Sequence, residues 1–376
     1  MNKRWKYSVL ALVVIIFIGC KERFEPNLPF VPQGYLVVEG FINAQGSTQI
    51  KLSRTTSLDQ KQTLKPERNA IVRIEGEDNS SFNVPSVSNG LYTSAILPIN
   101  PQKTYRLYIK TTNGNEYRSD YCVVKITPPI DSISWKEERD MVTFFANTHD
   151  PNKKSIYYLW DFDETWEIHS PHPPFVKVDN GRVREVTAND TSVSICWKYD
   201  SSSSINLGSS ARLETDVVFL SPLVSYSKLD ERFGVRFSIL VRQYAINKET
   251  YGFLHQMKKS TETLGSIFDA QPTELKGNIR SLKDSSEQVV GMMYATTVEE
   301  KRIFISSSQL EPGSRFKFQN CELDTLGITQ TITSYPSLLP FEGVYIGMSL
   351  VGTVATANFC VDCRYRGGKL MKPSYW

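Results

Sequence analysis

The six cysteines of this 376-residue chain are its side chains best suited to chemistry. Cys20 stands directly behind an apolar run, and Cys122, Cys196, Cys321, Cys360 and Cys363 follow it. The spacing Cys360-Val-Asp-Cys363 suits three chemistries: half of a zinc site, a redox pair, or contributors to two structural disulfides. Zinc needs two further ligands, and no second Cys-x-x-Cys or His-x-x-x-His spacing offers them. A thioredoxin-type pair leads into a helix within a βαβ unit, whereas this pair follows a β-like run and precedes Arg-Gly-Gly. Structural disulfides are therefore expected, with Cys196 and Cys321 as the partners of Cys360 and Cys363. The connectivity stays open, and Cys122 is the expected free thiol.

Acids cluster at Asp161, Asp163, Glu164 and Glu167. On a strand, Asp161 and Asp163 point to one face. Two carboxylates so placed could bind calcium or act as a glycosidase pair; a solvated face or salt bridges to nearby arginines is the plainer expectation. Tyr158, Trp160, Phe162, Glu164 and Trp166 share the other face. An exposed aromatic row could stack sugars or clamp a peptide, but we expect it to pack a β core. The four histidines, His149, His169, His172 and His255, are scattered, and two of them lie in a Pro-rich loop. No Gly-x-Ser-x-Gly elbow, EF-hand spacing or P-loop glycine pattern is present. The expectation is a non-enzyme with no catalytic residue, no metal and no cofactor. Asp131-Ser132-Ile133 and Asp324-Thr325-Leu326 resemble a short O-glycosylation motif, making Ser132 and Thr325 candidate sites.

The elements that must position these residues are mainly strands. Phe, Tyr and Trp number 19, 18 and 6, and aromatic and β-branched residues favour sheets. Residues 35–42, 48–54, 69–76, 91–97, 104–111 and 116–126 have the length and punctuation of strands, with Asn113-Gly114 as a hairpin turn. They predict an immunoglobulin-like β-sandwich over 35–127. Thr127-Pro128-Pro129 marks a boundary, because proline cannot donate within a central strand. A larger β-rich domain, 130–376, is expected beyond it, with runs at 141–148, 155–169, 191–199, 235–246, 288–297, 301–307 and 343–360. One main amphipathic helix is predicted near 247–264. Asn247 would be its N-cap and Gly265 its C′ residue, with Tyr251, Leu254, Met257 and Leu264 inward and Lys258, Lys259 and Glu262 in water. The Ser-rich stretch 200–210 and the Pro-rich stretch 170–174 read as loops.

The amino-terminal residues decide location. Residues 1–7 carry Lys3, Arg4 and Lys6 without an acid, and 8–19 are almost wholly apolar. That is the layout of a signal peptide over 1–19, too short for an ordinary membrane span. Gly19-Cys20 resembles a lipobox, although Phe17 and Ile18 depart from its usual residues. The resemblance implies a diacylglycerol thioether and an acyl chain on Cys20, a firm membrane anchor. Residues 20–34 would then be the lipidated cysteine and a Pro-rich linker. Removing 1–19 cancels the net charge of +3, leaving 40 basic and 40 acidic side chains. Such a balance argues against nucleic-acid binding.

Several stretches together resemble a known family. They are YLVVEGFIN, TQIKLSR, AIVRIEG, TPPIDSISW, YYLWDFDETWEI, Arg242-Gln243-Tyr244 before the helix, the Gly-Ser-Ile-Phe-Asp run at 265–269, and Cys360-Val-Asp-Cys-Arg-x-Arg-Gly-Gly. They resemble Bacteroidota lipoproteins of domain-of-unknown-function family 4249, over nearly all of residues 20–376. Charged residues such as Lys21, Glu22 and Arg23 after the lipidated cysteine resemble that group's surface-export signal. The resemblance implies an outer-membrane lipoprotein, facing the cell exterior, beside a TonB-dependent β-barrel transporter. Its expected role is an accessory that binds cargo, caps or scaffolds; the alternative is a stand-alone adhesive or glycan- or peptide-binding surface lipoprotein.

Overall fold

A computed structural model describes residues 34–56, 64–211, 217–262, 275–311, 316, 318 and 321–376. The signal peptide, Cys20, nearly all of the linker and the 265–269 motif lie outside the described residues. The chain is mainly β, as its composition predicts.

The first body is built on the hairpin Leu36–Asn43 and Ser47–Thr55, whose apolar residues alternate with polar ones. Leu36, Ile42, Ile50 and Leu52 point inward and are fully buried, which is the period-2 pattern of a half-buried strand. Ile71–Gly76, Thr104–Lys110 and Glu116–Ser119 add a second antiparallel set, with Asn113-Gly114 in the loop that joins the last two. Among the described residues thirteen strands join into one continuous curled sheet.

That body is not confined to 35–127. Ile279–Ser281 pairs with Glu116–Ser119. Val289–Val290 lies parallel to the start of Leu36–Asn43. Ala295–Thr296 lies between Leu36–Asn43 and Cys122–Lys125, parallel to both. Ile279, Val289, Met293 and Ala295 join the first core. The later chain therefore returns to close a sheet that residues 35–127 leave open. The expected strand 288–297 is two short pieces, and 116–126 breaks after Ser119.

The second body packs a three-stranded sheet (Ile130–Glu138, Met141–His149, Val217–Ser227) with a sheet centred on Tyr157–His169. Tyr157–His169 pairs along 11 positions with Arg236–Ile246, which pairs in turn with Val298–Ser306. Its other edge takes Ile195–Ser201 and Asn206–Ser209. Asn206–Ser209 lies within the stretch expected to be a loop; backbone pairing to the strand beside it suffices there without apolar side chains. Tyr158, Trp160, Phe162 and Trp166 are buried in the second core with Phe144 and Phe237, so the aromatic row packs a core as expected.

The helix is Lys248–Glu262. The Thr250 backbone N–H donates to Asn247 Oδ1 at 2.7 Å, so Asn247 is the cap. Phe253 is its buried apolar anchor, with Tyr251, Leu254 and Met257 half-buried. Lys258 turns back to donate to the Ile205 carbonyl at 2.7 Å instead of facing water. Asn247→Ala should cost about 1 kcal/mol, read as a lower urea midpoint with an unchanged slope.

A third, smaller unit holds Asp324–Gly327, Leu338–Ile346 and Ser349–Ala357 around Leu339, Phe341 and Val361. The run 343–360, expected as one strand, is a hairpin arm, a turn, a second strand and the short helix Asn358–Val361. A further hairpin, Val176–Asp179 with Arg182–Glu185, turns at Asn180-Gly181, both with positive φ.

Candidate functional site

Tyr157–His169 puts the candidate acids on opposite faces of one sheet. On the outer face Arg242 donates to Asp161 Oδ1 and to Asp163 Oδ2, each at 2.6 Å. Tyr244 donates to Asp161 Oδ2 at 2.7 Å, and Ser201 to Asp163 Oδ1 at 2.7 Å. The Arg242 guanidinium holds the Asp163 carboxyl below its ordinary range against the opposing effect of burial. Two carboxylates sharing one guanidinium form an ion-paired knot. This is the salt-bridge arrangement expected from the sequence, and each acid's oxygens are engaged. Between Arg242 and Tyr244, Gln243 is fully buried. It accepts from Trp160 Nε1 at 2.8 Å and donates to the Pro128 carbonyl at 2.8 Å and Thr148 Oγ1 at 3.0 Å. The Tyr244 ring meets Phe41 of the first body at 5.1 Å. The Arg-Gln-Tyr motif is thus the seam between the two bodies: one residue ties the outer face, one the core, one the neighbouring sheet.

On the inner face Glu164 is only 2% exposed. Its Oε2 accepts from Arg232 Nε at 3.0 Å, while Oε1 meets no hydrogen-bond partner of good geometry among the described residues. Burial raises the Glu164 carboxyl above its ordinary value, against the lowering influence of Tyr226 and Arg232. The Arg232 guanidinium lies 4.5 Å from the Trp166 ring centre and 4.2 Å from that of Tyr226. Beside it, Glu231 accepts from Lys198 and Arg366 and from Trp166 Nε1. Glu167, back on the outer face, meets His169 Nε2 and Trp376 Nε1.

The cysteines form Cys196–Cys363 and Cys321–Cys360, and Cys122 is free and buried. Burial pushes the Cys122 thiol up to about 12, which leaves it an unreactive thiol at neutral pH. The rest of the Cys-x-x-Cys motif is architectural. Asp362 accepts from the backbone and guanidinium of Arg364. Arg366 reaches Glu231, and Gly368 packs so closely that a Cβ there would lie 2.5 Å from Cys196 Cβ.

The histidines do not converge. His149 pairs with Asp131 at 2.8 Å, His172 lies on Phe341, and His255 on Tyr251. Among the described residues no three His, Cys, Asp or Glu side chains gather as a metal site. Ser132 and Thr325 are both exposed. A cavity of about 10 Å³ beside Cys122, Lys125, Asn247 and Tyr294 has room for one water-sized guest.

Sequence reasoning missed a different feature of the outer face. The strand registers align Tyr199, Thr165, Ser238 and Phe304 in one row across four strands. Two small residues between two aromatic ones make a trough, and Tyr375 and Trp376 lie in it. Tyr375 and Thr165 hydroxyls are 2.7 Å apart, and Trp376 Nε1 donates to Glu167 Oε2 at 2.9 Å. The Arg302 guanidinium sits 3.7 Å from the Tyr375 ring centre, and that of Arg236 5.2 Å from the Trp376 ring. Thr165 and Ser238, small polar residues in otherwise bulky strands, were the available signal.

The family described as "Domain of unknown function (DUF4249)" matches residues 21–302. The chain belongs to that family. The DUF4249 match takes in the first core, the acid knot and the Arg-Gln-Tyr seam; Cys321, Cys360 and Cys363 lie beyond it, so the match is shorter than the resemblance suggested. No curated protein matches the chain. Among solved structures, the crystal structure of a pullulanase complexed with maltotriose from Anoxybacillus sp. LM18-11 is similar at 12% identity. The likeness covers 55% of this chain and 24% of that one, with a TM-score of 0.16, and transfers neither fold nor activity.

Proposed function

We propose that this DUF4249 chain is a surface-exposed outer-membrane lipoprotein and a non-enzymatic accessory of a TonB-dependent transporter, binding cargo, capping or scaffolding. The observation that carries the reading is the position of Cys20 directly behind an apolar leader, in a chain whose body holds two disulfides. Disulfides persist in oxidising compartments, which supports export. Of the acids that could have served a hydrolase, Asp161 and Asp163 are committed to Arg242, Glu164 to Arg232, and Glu167 to His169 and Trp376, which supports a binding role. Ser132 and Thr325, exposed on their motifs, are the hydroxyls we assign to O-glycosylation.

The test is mild solubilisation of membranes from producing cells, capture of the tagged chain, and mass spectrometry of what accompanies it. A β-barrel transporter is expected in the captured material, together with an acylated peptide beginning at Cys20. Recovery of the lipoprotein without a barrel overturns the accessory role. A bare thiol at Cys20 overturns the location.

A further inference from the structure

The trough on the outer face has the construction of a recognition site. Its floor is Thr165 and Ser238, both buried although they are small and polar. Its walls are Tyr199 on one side and Phe304 on the other. Its two cations are preset: Arg302 Nη1 donates to Ser238 Oγ at 2.9 Å, and Arg236 lies 4.3 Å over the Phe304 ring. What covers the floor is a strap. Lys369 bridges to Trp197 at the sheet edge, and the Met371 carbonyl accepts from Tyr199 at 3.3 Å. After Pro373 the chain turns, the Trp376 N–H donating to the Pro373 carbonyl at 3.1 Å, and sets two adjacent rings across the strands. Nearly every strap contact past Met371 is a ring contact or a single side-chain hydrogen bond, not a ladder of backbone bonds. Such contacts recognise a short sequence and are separately weak. Tyr375 stays 42% exposed and Met371 80% exposed, so an incoming segment can meet the strap before the strap leaves.

We propose that this trough is a docking site for a peptide segment carrying adjacent aromatic residues on a partner protein, held in the resting molecule by residues 373–376 in cis. The chemistry recognised is a tyrosine hydroxyl offered to Thr165, an indole N–H offered to Glu167, and two ring faces offered to Arg302 and Arg236. The cis segment is present at high effective concentration, so an outside segment binds only in the fraction of time the trough is open. Occupancy by a partner would free the strap. The proposal stands on the strand registers and ring contacts, and does not depend on membrane attachment.

The experiment uses a fluorescent synthetic peptide with the sequence of residues 371–376, titrated into the full chain and into Tyr375→Ala/Trp376→Ala by anisotropy. The variant is expected to bind at least about tenfold more tightly than the unaltered chain. Adding Arg302→Ala, or replacing the two rings of the peptide by alanine, should abolish the gain. A folded variant that shows no saturable binding overturns the proposal. Should the variant fail to unfold cooperatively, a photo-crosslinking peptide with benzoylphenylalanine in place of its tyrosine is applied to the unaltered chain. Labelling of 163–169 or 302–306 supports the site; its failure there overturns it. A concentration-dependent dimer dissolved by the peptide would assign the trough to a second copy, and overturn the partner.

Discussion

Arg232→Leu should lower the unfolding free energy by about 4 kcal/mol at neutral pH, because it strands the buried Glu164 carboxylate. Among the described residues Arg232 is the one cation paired with that carboxylate, donating to Oε2, and the only other group that favours its charge is the neutral Tyr226 hydroxyl. The pH dependence follows from the direction of the shift. Burial raises the folded Glu164 carboxyl above its ordinary value, so the folded state binds the proton more tightly than the unfolded chain. That contribution is complete below the unfolded carboxylate value of about 4.3 and is lost as pH rises through the folded one. Without Arg232 the folded value rises further, so the gap between variant and parent should be widest near neutrality and close toward acid. Asp200 and Asp230, which also lose Arg232, are more exposed and contribute little. Urea midpoints measured across the acid range check the trend. Glu164→Gln in the Arg232→Leu background should recover most of the loss, since it removes the stranded charge. A gap that stays constant with pH, or no recovery by glutamine, would show that Arg232 acts through its packing between Trp166 and Tyr226 instead.

The same strand shows how far the sequence could be read. Its alternation of aromatic and acidic residues is strong enough to place Tyr158, Trp160 and Phe162 in a core and Asp161 and Asp163 on the opposite face, and both placements hold. Asn247 was legible because an N-cap is a local rule. The closure of the first body was not. Ile279–Ser281 is three residues long, too short for any period to register, and Val289–Val290 and Ala295–Thr296 are two-residue pieces of the run expected at 288–297, whose partners no local pattern names. They are strands because Glu116–Ser119 presents an open edge to the first, and Leu36–Asn43 and Cys122–Lys125 present open edges to the other two. Asn206–Ser209 was hidden for a related reason. Gly208 lies under the Trp160 ring, where a Cβ would come within 2.4 Å of ring carbon, so tertiary contact chose a residue that local rules assign to turns. The trough was hidden because Tyr375 and Trp376 are adjacent, and adjacent residues carry no strand or helix face. Only the register between four strands brings Thr165 and Ser238 under them.

Replacing Cys196 and Cys363 together by alanine should have the largest effect of any paired change in the body. The bond spans a sequence separation of 167 residues, against 39 for Cys321–Cys360. Chain entropy alone gives roughly 5 kcal/mol for the longer loop and roughly 4 kcal/mol for the shorter. That small difference is widened by where the sulfurs sit. Cys196 and Cys363 are both fully buried and belong to the second core, with Gly368 pressed against Cys196. Their loss therefore also opens a void where the unit at 321–366 meets the Ile195–Ser201 strand. The second bond ties Cys321, which is half-exposed, to the buried Cys360 within that smaller unit. The double alanine variant of Cys196 and Cys363 should unfold at a much lower urea concentration by tryptophan fluorescence, because Trp197 sits beside the lost bond. The corresponding variant of Cys321 and Cys360 should leave that fluorescence transition nearly in place and loosen chiefly residues 321–361, read by hydrogen exchange. Equal shifts in both variants would mean that the two bodies and the smaller unit unfold as one, and that the Cys196 bond holds no seam of its own.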